Sequence, residues 1–469
     1  MTSKVLRRTT ASAQYTRPFF ESFLIALAIS WSPIAPLAYI MPLLCLGWFI
    51  IRANSGKTLI YFVAFLIFFT IVVLFYQSFY YSVQDINFLA GGAILTLITY
   101  SSFIFLLVTP LAVYSNRYSY LYYARIIKYL ILGQATLGIF QLFAAMILNS
   151  FSFDGSMGDK VQGTISPVSF LVNTSDFGNI SFATNMVFLL LFFVPYVMVY
   201  NRGKLVMAWG AFSLLCASVL HILLGLIGAI LIVGFFFRNF SKVSYKVFYV
   251  LIIIGVGVGL LARLQPSNFT LIKNYAIIYA KAKSPKVVQT IDVVTDLPQE
   301  YPSMLLLGFG PGQYSSRASL IATGTYLGGI NNNRNYFFLP NSMTKPFEEF
   351  MQDDWVESNI EAVYGGSAMS KPFYSVMSVY TEFGLVVLVT ILLVIGYQII
   401  RLRRDFLCPA VSDEAKISKF LSFALALSFL FLLSVCFIEN YLEISQAIFP
   451  GLLMMKYFYS RTRLLASSN

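Results

Sequence analysis

Arg317 and Arg334 follow a glycine-rich run, Gly308-Phe-Gly-Pro-Gly312, in a chain with few other polar stretches. A guanidinium presents a planar fork of donors that matches phosphate oxygens. Glycine lets a backbone approach a ligand closely and aim N–H groups at an anion. These residues make a candidate phosphate site, with Gly310 and Gly312 as its backbone contacts. The competing readings are a tight turn and solvated loop arginines. Glu382 is the candidate catalytic carboxylate. It lies nine residues past the start of an apolar run, and an ionisable group at that depth is a functional candidate by default.

Arg263 stands at the outer end of another apolar run, either as a snorkelling anchor or as a third phosphate ligand. His221, the one histidine, is either a packing residue or a substrate contact. A short helix is predicted over Pro346–Glu361, opened by Pro346, and Glu349, Asp353, Glu357 and Glu361 recur along it every four residues. The face they share is either solvated or a site for sugar hydroxyls or a general base. Lys281, Lys283 and Lys286 read as lipid-headgroup contacts, with substrate binding as the competing reading. Cys45, Cys216, Cys408 and Cys436 all lie outside the long polar stretch and His221 is alone, so neither a disulfide framework nor a metal site is implied. No metal and no other cofactor is expected.

The elements that position these residues follow from composition. Apolar residues make up 58% of the chain and charged residues 11%, with mean hydropathy +0.75. That places it among all-α polytopic integral membrane proteins. The net charge of +12 sits in short clusters between apolar runs, the pattern of topology signals and not of a nucleic-acid surface.

Apolar runs lie at Phe19–Ser30, Leu37–Ile51, Thr58–Tyr76, Phe88–Val113, Ile126–Ile147, Gly178–Tyr200, Leu205–Leu220, Ile222–Phe237, Val247–Ala262, Phe373–Ile400, Phe420–Ile438 and Gln446–Tyr459. About twelve transmembrane helices are therefore expected. Residues 1–18 form a cytoplasmic N-terminus, with a cleaved signal peptide as the competing reading of the first run. Residues 19–262 hold the first nine spans and a smaller outer loop at 148–177; 263–372 form one large outer loop; 373–459 hold the last three spans and 460–469 a cytoplasmic tail. All but ten of the 32 Lys and Arg fall in cytoplasmic segments or at the inner ends of spans, and the ten are Lys160 and nine in the large loop. The large loop is thus expected outside, away from ATP and nucleotide sugars. Within it, Asn268–Lys283 has the spacing of an amphipathic surface helix.

Four stretches resemble the O-antigen ligase and polymerase superfamily, in the family's order. Leu137-Gly-Ile-Phe-Gln141 is similar to its Gly-x-x-Gln in a middle span, and Val161-Gln-Gly-Thr-Ile165 to its Arg-x-x-Gly-Thr-Phe in an earlier outer loop. Leu305-Leu-Leu-Gly-Phe-Gly-Pro-Gly-Gln-Tyr314 is similar to Leu-Gly-x-Gly-Pro-Gly in the large outer loop, and Tyr380-Thr-Glu-Phe-Gly384 to the Glu-x-Gly that opens the next span. The resemblance covers roughly Ile126 to Ile400. It implies a metal-independent multi-span glycosyltransferase in a bacterial cytoplasmic membrane. Donor and acceptor would be undecaprenyl-diphosphate-linked oligosaccharides, met on the outer face. Arginines would hold the diphosphate while an acceptor hydroxyl attacks the anomeric carbon. A flippase and a chain-length regulator are the partners implied, besides the bilayer itself.

Where the family's ligases carry a histidine, this chain reads Ser370-Lys-Pro-Phe-Tyr-Ser375, which favours polymerase over ligase. Gln162 and Lys160 stand in place of an arginine, and Leu220-His221 in place of Ser-Arg. Arg317 followed by Gly328 fits an Arg-x10-Gly pattern of some polymerases. A lipid flippase or transporter is the rival from another class. It would favour two similar halves and polar groups midway along several spans.

Overall fold

A computed structural model describes residues 18–29, 35–84, 86–110, 119–148, 159–171, 178–237, 284–324, 342–360, 371–410 and 412–466, with Gly259 and Ile277 as single positions. Regular structure among the described residues is helical, with no strand. Helices α1 to α9 are Pro18–Ile29, Ala35–Ala53, Gly56–Gln84, Ala90–Thr99, Ser101–Val108, Ser119–Leu148, Gly178–Tyr200, Lys204–Cys216 and Leu220–Phe236. The described part of the large loop adds α10 to α15: Pro285–Thr295, Leu297–Glu300, Met304–Leu307, Arg317–Ala322, Lys345–Phe350 and Gln352–Ile360. The last three, α16 to α18, are Ser375–Leu407, Asp413–Cys436 and Ser445–Ala466.

A helix satisfies its own backbone hydrogen bonds, which is what an apolar chain in a membrane requires. Among the described residues, five helices are long and apolar enough to cross one: Gly56–Tyr80, Tyr120–Leu148, Gly178–Tyr200, Ser375–Leu407 and Asp413–Cys436. The bent pair α4–α5 makes a sixth if it is one span. This is the composition of a membrane-associated protein. Helix α7 has the bounds read from sequence. The run Val247–Ala262 lies outside the described residues apart from Gly259.

The expected single span over Phe88–Val113 is instead two helices meeting at 62°. The bend falls at Tyr100, between Thr99 and the Ser101-Ser102 pair, all three fully buried neighbours. Hydroxyls here reach sideways out of the helix: Tyr100 to Glu443, and Ser102 to Ser445 at 3.1 Å. Such polar side chains compete with the helical ladder and allow a break without proline.

Two large cores, and a small cluster joining α4 to α13, hold the described residues together. The main one surrounds α7 and α17, the most buried spans, with edge-on aromatic pairs such as Phe188–Phe431 at 5.6 Å and Phe105–Phe449 at 5.3 Å. Fully burying each such ring contributes about 1.5–3 kcal/mol. The second core lies under the large loop, where Leu297, Met304, Phe309, Tyr314, Met351 and Trp355 pack with Tyr76 and Tyr80 of α3 and Met377 of α16. The described part of the loop is thus a packed helical cap fused to two spans.

Candidate functional site

Helix α16 is interrupted at Gly384, whose φ of 78° and ψ of 171° are not helical. The break frees two carbonyls for the cap: Thr381 O accepts from Phe309 N and Glu382 O from Gly310 N, each at 2.8 Å. The Glu382 side chain, fully buried, then reaches across the turn. Its Oε2 accepts the N–H of Gly312 at 2.7 Å, and its Oε1 those of Tyr314 at 3.3 Å and Ser316 at 3.1 Å. The backbone can follow this path because Gly308, Gly310 and Gly312 all take positive φ, at 73°, 99° and 72°. On one side Tyr76 and Tyr80 donate to the carbonyls of Leu307 and Gly308. On the other, a Cβ on Gly312 would meet the Gly92 carbonyl, and a Cβ on Gly92 would meet the Gly312 carbonyl. The side chain of Gln313 pairs with both backbone groups of Leu89, at 2.8 and 2.9 Å.

The glycine-rich turn therefore does cradle a carboxyl group, and that group is the chain's own Glu382. The N–H groups of Gly310 and Gly312, expected to face substrate, are both engaged by this residue.

The other two motifs interlock in the same way. Gln141 Oε1 accepts from the N–H of Gln162 at 2.9 Å and Gly163 at 2.7 Å, while its Nε2 donates to the carbonyls of Gly163 at 2.8 Å and Ser166 at 2.9 Å. One buried amide thus fixes the described part of the smaller loop to α6. Gln141→Ala leaves these groups unpaired, and is expected to cost about 2 kcal/mol or more. Hydrogen exchange at Gln162 and Gly163 checks this. Unchanged protection there would mean that the amide is not the anchor.

Charge gathers where the cap meets the spans. Arg317, the first residue of α13, is fully buried; its Nη2 is 2.6 Å from Glu439 Oε1 and its Nε donates to the Asn440 carbonyl at 3.3 Å. The residues on either side are pinned by carboxylates: Ser316 N by Glu382, and Ala318 N by Glu443 at 3.3 Å. Asn440 donates to the Ser315 carbonyl at 3.1 Å and accepts from Ser378 at 2.9 Å. Lys286, also buried, donates to the Ile438 carbonyl.

Burial alone would raise the Glu439 carboxyl, but Arg317, then Lys371, Lys286 and His221, together hold it below its ordinary value. Burial pushes the Lys286 ammonium down to about 8, with Lys371 adding to the shift and Glu439 opposing it. Burial, and next the Glu382 charge, push Glu443 up to about 8. Arg317, Lys371, Lys286 and His221 thus all favour ionisation of the one buried carboxylate of Glu439, while Glu443 beside it is pushed the other way.

Arg317 and Glu382 come together in this junction. His221, second residue of α9, pairs with Tyr441 OH at its edge. Arg334 and Arg263 lie outside the described residues, as do Lys281, Lys283, Glu361 and all of Asn268–Lys283 but Ile277. The headgroup reading of Lys286 is overturned, since the side chain is turned inward and 6% exposed. The continuous helix expected from Pro346 is two helices parted at Met351, and Glu349 takes the Tyr301 hydroxyl at 2.6 Å. Glu439, Asn440 and Glu443 were not singled out by sequence. Their signal was available: two acids in a short turn between apolar runs, a turn that carries no basic residue. Set beside family models, curated proteins and solved structures, the chain matches none of them.

Proposed function

We propose that the protein is a polysaccharide polymerase of the bacterial cytoplasmic membrane. It crosses the membrane about twelve times with both termini inside, and it joins lipid-linked oligosaccharide repeats on the outer face. The observation that carries the reading is the buried charge junction: Arg317, Lys286 and Lys371 bear on Glu439, with Glu382 and Glu443 beside it, where the glycine-rich cap meets the spans.

In the reaction, an acceptor hydroxyl attacks the anomeric carbon of an undecaprenyl-diphosphate glycan. The bond from that carbon to the diphosphate oxygen breaks, the electron pair leaves with the diphosphate, and the hydroxyl proton passes to a base. No ATP is needed outside, because the donor bond itself supplies the free energy. Cations aimed at the leaving diphosphate offset its growing charge. The donor phosphates compete with Glu439 for Arg317. Glu382, wrapped by three N–H groups, serves this scheme by holding the turn that carries Arg317.

Deleting the gene is expected to truncate the surface glycan to a single repeat and to accumulate lipid-linked single repeats. Long polymer stranded on its lipid carrier would assign ligation instead. Repeats trapped on the cytoplasmic face would assign a flippase.

A further inference from the structure

The polar groups of the turn after α12 are satisfied as though water were absent. Tyr76 and Tyr80 take the carbonyls of Leu307 and Gly308, and the N–H groups of Phe309, Gly310 and Gly312 all go to α16. Irregular backbone survives at membrane depth where protein completes its hydrogen bonds in this way. Yet two side chains of α12 are not buried with it. Leu305 is 37% and Leu306 57% exposed.

Depth follows from the spans on either side. A Cβ on Gly384 would meet the Leu306 carbonyl, so Leu306 sits at the level of the α16 break. That break is roughly 17 residues, or about 26 Å of helix, from Arg401. Tyr76, beside Leu307, is roughly 20 residues, or about 30 Å, from the start of α3 at Gly56. Both distances fall within the thickness of a hydrocarbon core, about 30 Å. The flanking surfaces are apolar and open as well: Leu74 and Phe75 on α3, Leu385 and Val386 on α16. These two helices are the least buried of the candidate spans.

We propose that α12 dips into the membrane leaflet opposite Arg401, Arg403 and Arg404, and that Leu305 and Leu306 contact lipid acyl chains there. The leucines continue the lipid-facing surface from α3 across to α16. In water the same pair would be an exposed apolar patch with no partner. This part of the large loop then belongs to the membrane and not to the aqueous space outside it. The inference is independent of the proposed glycosyl transfer.

Site-directed spin labelling tests it without any activity assay. Leu306→Cys is labelled in a Cys408→Ser background, because Cys408 is the exposed native cysteine among the described residues. The protein is reconstituted in phosphatidylcholine–phosphatidylglycerol vesicles and probed with oxygen and with a neutral nickel chelate. Leu393→Cys, on the open face of α16, and Gln299→Cys, an exposed position of α11, are the references. The Leu306 label is expected to match Leu393, with oxygen access exceeding nickel access several-fold, and Leu305→Cys should repeat the result. Nickel access like that of Gln299 would overturn the proposal. Low access to both reagents with dipolar broadening would also overturn it, by showing that a second copy covers the turn.

Discussion

Arg317→Ala is expected to destabilise the folded protein by about 3–5 kcal/mol, because it strands a buried carboxylate. Glu439 is 1% exposed and loses the partner 2.6 Å away. Lys286 and Lys371 still bear on it, so the loss should fall near the lower end of that range. Thermal unfolding in detergent reads the effect, and wild-type stability would sink the ion-pair argument. Removing both charges together, as Arg317→Met with Glu439→Leu, should restore part of the stability, since neither member of the pair is left without the other, while Lys286 stays buried beside them. The double variant then separates two roles. If it is folded yet slower by about 10²-fold or more, Arg317 acts on the leaving diphosphate. If it is folded and fully active, the pair serves architecture alone.

Gly312→Ala should be comparably damaging for a different reason. The residue holds φ at 72°, and a Cβ there would run into the Gly92 carbonyl of α4. Backbone strain of about 1–3 kcal/mol and overpacking of about 1–3 kcal/mol both apply, so about 3 kcal/mol or more is expected. The neighbour cannot yield cheaply, because it is helix backbone. Gly396→Ala is the matched control: nothing lies within 4 Å of its missing Cβ, and stability should be unchanged or slightly higher. Equal melting temperatures for the two variants would contradict the close approach of α4 to the turn.

Sequence pattern served well where the physics is local. The bounds of α7 were legible because an unbroken apolar run ends at Asn201 and Arg202, and the helix obeys that run. The glycines of the cap were legible as a backbone able to aim N–H groups at an anion. Their partner was not, because a carboxylate from the same chain and a phosphate from a ligand ask for the same N–H groups. Glu382 is singled out by its depth, but depth alone does not separate a reacting group from an anchor. The bend at Tyr100 was missed because no proline or glycine marks it; only a Thr-Tyr-Ser-Ser run does. Lys286 was misread for a related reason. A lysine beside two others in a loop has no local feature to say that Ile438, 152 residues away, will receive it.

That long reach has a consequence for how the chain is made. Tyr76 and Tyr80 find their carbonyl partners 231 and 228 residues later, and the Thr109 end of α5 is closed by Lys456, 347 residues later. At a synthesis rate of roughly 5–20 residues per second, α3 waits roughly 10–50 s for the turn that engages its Tyr76 and Tyr80. Through that interval the early helices must be inserted yet unfinished. A ribosome stalled, or a message cut, before codon 384 would release a chain that is already in the membrane but cannot close its cap. Such a product is suited to recognition and removal by membrane proteases, so cellular quality control should sense this protein's completion through its second half.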